Sequence, residues 1–152
     1  MLVERSVELG APAQALALAL GETARKDLAE IVGAATSAGE ALLQQSGMTS
    51  LDEAYQCHFG AQLGRPWAKG ENTTFPLRWW NDKSRSLTPG FIGELRLQAR
   101  PGQVTELSIA GQYHPWAHLY ELVSPRLLSR MANTVIGELL QQLQRRLLSV
   151  TA

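Results

Sequence analysis

At 152 residues, 45% of them apolar, the chain is long enough to bury the core of a single domain without disulfides or a structural metal. Its 14 Lys and Arg balance 14 Asp and Glu, which leaves no net field to collect nucleic acid or an anionic membrane surface. The lone thiol, Cys57, has no partner and no CxxC or CxxH cluster offers a zinc site, so the composition reads as cytoplasmic, with no metal or cofactor expected.

The opening LVERSVEL alternates, with Val3, Val7 and Leu9 on one face against Glu4, Ser6 and Glu8, and predicts a strand ended by Gly10 and Pro12. Arg5 falls on the apolar face. The run APAQALALAL (11–20) predicts a short core helix from Ala13 to about Gly21. Glu4 and Glu8 stand where a signal peptide would carry a basic leader, and the run is too short to span a bilayer, so no stable membrane insertion is expected. A longer helix follows, in which Leu28, Ile31, Val32, Ala35, Leu42 and Leu43 recur at helical spacing, with bends at Gly33 and Gly39 and a stop at Gly47.

Four segments then alternate with period two. AYQCHFGAQL aligns Tyr55, Cys57, Phe59, Ala61 and Leu63, and FPLRWW aligns Phe75, Leu77 and Trp79. FIGELRLQA sets Leu95, Leu97 and Ala99 against Glu94, Arg96 and Gln98, and VTELSIAGQY sets Leu107, Ile109, Gly111 and Tyr113 against Glu106, Ser108 and Gln112. Turn residues in GRP, NDKS and RPGQ separate the runs. One-sided alternation of this kind predicts an antiparallel sheet with one packed face. After HPW the period returns to that of a helix, with Ser124 as N-cap, Pro125 in the first turn, and a stripe of Leu128, Met131, Val135, Leu139, Leu143 and Leu147 long enough to cover that face.

The stretches FPLRWW (75–80), GELRLQARPGQVTELSIAGQYHP (93–115) and LLSRMANTVIGELLQQL (127–143) resemble the C-terminal half of small bacterial members of the SRPBCC superfamily. That superfamily also includes START lipid-transfer domains, polyketide cyclase-like proteins and birch-pollen-allergen-like proteins. The resemblance implies one α+β helix-grip domain over residues 1–152, in which a curved antiparallel sheet packs around a long C-terminal helix, with two helices after the first strand.

Several residues invite a sharper reading. Trp79 and Trp80 must point to opposite faces of their strand, which makes Trp79 a core or cavity wall and Trp80 either a partly covered outer residue or a contact for a partner or a homo-oligomer. Cys57 beside His58 suggests a nucleophile and base, but consecutive strand side chains diverge, and an inert buried thiol is expected. His114, His118 and Glu121 have metal-like spacing only on a continuous helix, which Pro115 opposes. Glu94, Arg96 and Glu106 fall on the outer face, so the inner strand faces hold no carboxylate or histidine pair for acid–base chemistry, and no catalytic residue is named.

The expected activity is non-enzymatic binding of a small hydrophobic or amphipathic molecule, lipid-like or polycyclic, between the sheet and the final helix. Its walls are Phe59, Phe75, Leu77, Trp79, Leu95, Leu97, Leu107, Ile109, Met131 and Val135, with Tyr55, Tyr113 and Arg5 as polar handles. Two alternatives stand beside it. One is a polyketide cyclase-like enzyme whose substrate Tyr55 and Tyr113 orient. The other is a protein-interaction domain with a filled core, using Trp80 and HPWAHLYE as its surface.

Overall fold

The computed structural model describes residues 1–45, 59–81, 89–115 and 123–151. They form β1 (Leu2–Leu9), α1 (Ala13–Lys26), α2 (Leu28–Gln45), β2 (Phe59–Leu63), β3 (Trp67–Lys69), β4 (Asn72–Asn81), β5 (Pro89–Arg100), β6 (Val104–Tyr113) and α3 (Pro125–Thr151). The strands make one antiparallel sheet in the order β1-β6-β5-β4-β2, with β3 also paired to β4. β2 faces Leu77–Asn81 and β3 faces Asn72–Thr74, so the two are halves of one broken edge. In the gap the Gly64 N–H still donates to the Pro76 carbonyl at 2.7 Å, but Pro66 has no N–H with which to extend the ladder.

Gly93 and Gly111 face each other across β5 and β6. A Cβ on Gly93 would run into the Ala110 carbonyl oxygen and one on Gly111 into the Ile92 carbonyl oxygen, and each would stand 2.8 Å from Phe91 Cζ. Only glycine lets the two backbones approach this closely, and the Phe91 ring occupies the space that side chains would otherwise fill.

α3 begins as its sequence dictates: the Leu127 N–H donates to Ser124 Oγ at 3.2 Å and Pro125 opens the first turn. Its buried stripe runs from Leu128 to Leu147. α3 does not cover the sheet alone, however. It approaches β1 and β6, while α1 lies near β5, β4 and β2, and α2 packs along α3 and reaches β2. The reason is width: five strands side by side span roughly 20–25 Å, about twice the diameter of a helix. Arg146 ties the α1–α2 corner to α3 through ion pairs to Asp27 at 2.8 Å and Glu30 at 3.6 Å.

α1 continues to Lys26 rather than ending near Gly21, because Glu22, Ala24, Arg25 and Lys26 are helix formers strong enough to carry one internal glycine. β3 and its tight turn, with Gly70 at φ 65°, were not foreseen. Tyr55, Cys57, His58, His118, Glu121 and residues 82–84 of the NDKS turn lie outside the described residues.

Candidate functional site

The concave face gathers the inner residues in cross-strand rows. Phe75 faces Leu95, which faces Ile109, which faces Arg5. A second row joins Trp79, Phe91 and Tyr113, with the Trp79 and Phe91 rings stacked at 4.5 Å and 12°. Phe91, Leu95, Leu97, Leu107 and Ile109 have 0% accessible surface, and Leu77, Trp79, Met131 and Val135 have at most 3%. Burial of this degree leaves these side chains almost no contact with solvent. Tyr113 is buried beside them and Phe59 is half-buried on β2.

Among the described residues, open space lies at the β2 end. A cleft of about 680 Å³ separates α1 from the broken edge of the sheet. Ala17, Gly21 and Ala24 form its helical wall, Ala61, Leu63 and Gly64 the opposite wall, and Phe75 and Thr73 reach it from β4. Glu22, Arg25 and Gln62 stand at its polar rim. Two local features keep it open: small residues at spacings of four and three thin the helix on that side, and the break after Leu63 removes the strand that would close it. Leu18 is 77% exposed at this opening. Of the predicted binding residues, Phe75 lines the cleft. The small-residue face of α1 was the missed signal, since the helix was expected to end within it.

Arg5 is not gathered with the aromatic residues. β1 is an edge strand, and the Arg5 side chain passes that edge to lie over α3 at Gly137.

Glu40 was also missed. On α2 it continues the line of Val32 and Thr36 and precedes Leu43, so a carboxylate sits at the margin of the helix's apolar stripe. Burial pushes its carboxyl up from the ordinary 4.5 to about 7, and its Oε1 has no hydrogen-bond partner among the described residues. Attention to inward-facing strand positions could not find a group carried on a helix.

On the outer face, Trp80 is half-buried. It lies across Gly60, where a Cβ would run into its ring, and the Arg78 guanidinium sits 5.3 Å from its centroid. The charges on this face pair as alternation predicts, Arg96 with Glu94 at 2.8 Å and Arg100 with Glu106 at 2.6 Å. Among the described residues no group of three metal-ligating side chains occurs, and no helix is long and apolar enough to cross a membrane.

No family model and no curated sequence matches the chain. Among solved structures, a conserved protein from Geobacillus kaustophilus is similar over 98% of this chain and 96% of its own, with a TM-score of 0.53 and 11% identity. A protein from Thermus thermophilus aligns over 100% of both chains with a TM-score of 0.49 and 12% identity. The Zhui aromatase/cyclase of a Streptomyces species aligns over 96% of this chain and 94% of its own, with a TM-score of 0.39 and 17% identity. At such identities a likeness speaks for fold alone. With its strand, two helices, curved antiparallel sheet and long final helix in that order, this chain has the α+β helix-grip fold.

Proposed function

We propose that the chain binds a small hydrophobic or amphipathic molecule, admitted through the cleft between α1 and the broken sheet edge. The observation that carries this reading is the cleft itself, whose volume of about 680 Å³ falls within the usual range for small-molecule sites. Leu63 and Phe75 offer apolar contact, while Glu22, Arg25 and Gln62 at the rim can hold a polar end. Leu77, Trp79, Leu95 and Leu97 neighbour Phe75 on the sheet and are themselves buried. The lone cysteine and balanced charge suit a cytoplasmic binder.

The test is a titration of fatty acids of increasing chain length and of polycyclic aromatics against protein purified without detergent, alongside native mass spectrometry for carried-over ligand. A Cβ at Gly21 would meet nothing within 4 Å, so Gly21→Leu extends a side chain into the cleft without disturbing the fold. Affinity should rise with apolar area at roughly 25 cal/mol per Å² and fall at least about tenfold in Gly21→Leu. Equal affinity in parent and variant, or no binding of any compound, refutes the proposal. The close packing of the inner face favours a second reading, an interaction domain with a filled core, for which a clean apo mass is the expected result.

A further inference from the structure

The edge of the sheet opposite the cleft carries a second feature, independent of the apolar ligand. A Cβ built on Gly137 would stand 3.7 Å from Arg5 Nη2 and 3.8 Å from both Cζ and Nη1. Near-equal distances to three atoms of one plane mean that the guanidinium lies face-on against α3, seated where glycine leaves the helix surface bare. A face-on seat directs the N–H groups sideways, in the plane of the fork, along a groove of about 440 Å³ between β1 and α3.

The remaining walls come from one face of α3. Arg130, Asn133, Thr134 and Gln141 line the groove together with the carboxylate of Glu138. Glu138 does not pair with Arg5; its Oε1 accepts from Gln142 Nε2 at 3.1 Å. Asn133 Nδ2 and the Thr134 hydroxyl donate to the helix carbonyls of Ser129 and Arg130 at 3.0 Å and 2.8 Å. Neither arginine side chain has a hydrogen-bond or ion-pair partner among the described residues. The groove therefore presents a surplus of donors with no acceptor assigned to them. Planar forks of this kind match the two oxygens of a carboxylate or phosphate.

We infer that the β1–α3 groove is an oxyanion site, in which Arg5 grips a carboxylate or phosphate group through its fork and Arg130 supplies the second positive charge. Gly137 serves as the seat that holds the fork in place. Glu138 limits the charge such a site tolerates and sets a preference for a compact anion over an extended polyanion.

The experiment follows the arginine Nε–H resonances of isotopically labelled full-length protein while inorganic phosphate or acetate is titrated at constant ionic strength. A saturable shift of the Arg5 signal is expected. Affinity should fall at least about tenfold in Arg5→Met and about threefold to tenfold in Arg5→Lys, which keeps the charge but loses the fork. Arg130→Gln should weaken binding several-fold, and Arg78→Met, on the outer face of β4, should leave it unchanged. Arg5 is solvent-exposed, so its variants are expected to melt with the parent, and the Arg130 series gives a separate reading. Flotation with vesicles identifies the source of the anion. Capture by vesicles containing phosphatidic acid, absent with phosphatidylcholine alone and lost in Arg5→Met, assigns the groove to a lipid headgroup; saturable phosphate binding without flotation assigns it to a free anion. Shifts that are linear and equal at Arg5 and Arg78, or unchanged affinity in Arg5→Met, overturn the inference.

Discussion

Two glycines of α2 should respond in opposite ways to the same substitution. Gly33 and Gly39 both lie inside the helix, where replacement by alanine gains roughly 1 kcal/mol from backbone entropy and propensity. A Cβ at Gly33 meets nothing within 4 Å, so that gain should appear undiminished. A Cβ at Gly39 would stand 2.6 Å from Val135 Cγ2 and 3.2 Å from Met131 Cγ. Carbon atoms at rest keep about 3.5–4.0 Å apart, so Val135 would have to retreat by about 1 Å. It has nowhere to go, because Val135 is 1% exposed and a β-branched residue in a helix is held to one rotamer. Overpacking of this kind costs about 1–3 kcal/mol, which puts Gly39→Ala between neutral and a loss of about 2 kcal/mol. Urea denaturation with a shared m-value measures the difference directly. The double mutant with Val135→Ala should show a favourable coupling of about 1–2 kcal/mol, since the second change removes the obstructing methyl groups. If Gly39→Ala stabilises as much as Gly33→Ala, the tight seam between α2 and α3 described above is wrong.

Leu139, with 0% exposure at the centre of the α3 stripe, should cost about 2–5 kcal/mol as Leu139→Ala, and a urea midpoint equal to the parent's would contradict its place in the core. Trp79→Ala should lose about 3–5 kcal/mol along with the Phe91 stack, whereas Trp80→Ala gives up a cation–π contact and the cover over Gly60 for about 1 kcal/mol; equal losses would mean that the strand faces are misassigned. Glu40 binds its proton more tightly folded than unfolded, so its contribution is complete below pH 4.5 and is lost as pH rises through about 7. Between pH 5 and 8 the parent should therefore lose about 1 kcal/mol relative to Glu40→Gln, a figure reduced for the solvent that reaches this half-buried group. Parallel stability profiles for the two proteins would place that carboxylate in water.

The strands were legible because an alternating pattern records which face is dry, and it assigned Trp79 inward and Trp80 outward correctly. The start of α3 was legible for a different reason: Ser124 and Pro125 encode local chemistry that needs no tertiary partner. What escaped depends on neighbours. Arg5 has inward parity, yet it belongs to an edge strand, and parity says nothing about how far a long side chain travels past an edge. Gly21 looked like a terminus because a glycine's cost is visible in sequence while the support of the following turn is diffuse. The cleft arises from a coincidence of small residues on α1 with a break in a distant strand, and no local window contains both. Phe75, Leu77, Trp79, Leu95, Leu97, Leu107 and Ile109 share one face of the sheet, but which of them a ligand can reach depends on packing that periodicity does not encode.

The break between β2 and β3 also bears on how the molecule behaves in a crowd. An open sheet has two edges whose unpaired N–H and C=O groups can recruit a strand from another chain, the first step toward fibrous aggregation. Here one edge is shadowed by α3, whose Gln144 Nε2 reaches the Glu8 carbonyl at 3.4 Å. Among the described residues, the other offers an incoming strand the five residues of β2 before Pro66 interrupts the register and the three residues of β3 begin a new one. The discontinuity that opens the cleft is thus also a guard against edge-to-edge growth, and a substitution that mended it, such as Pro66→Val, would exchange an open cleft for an adhesive rim.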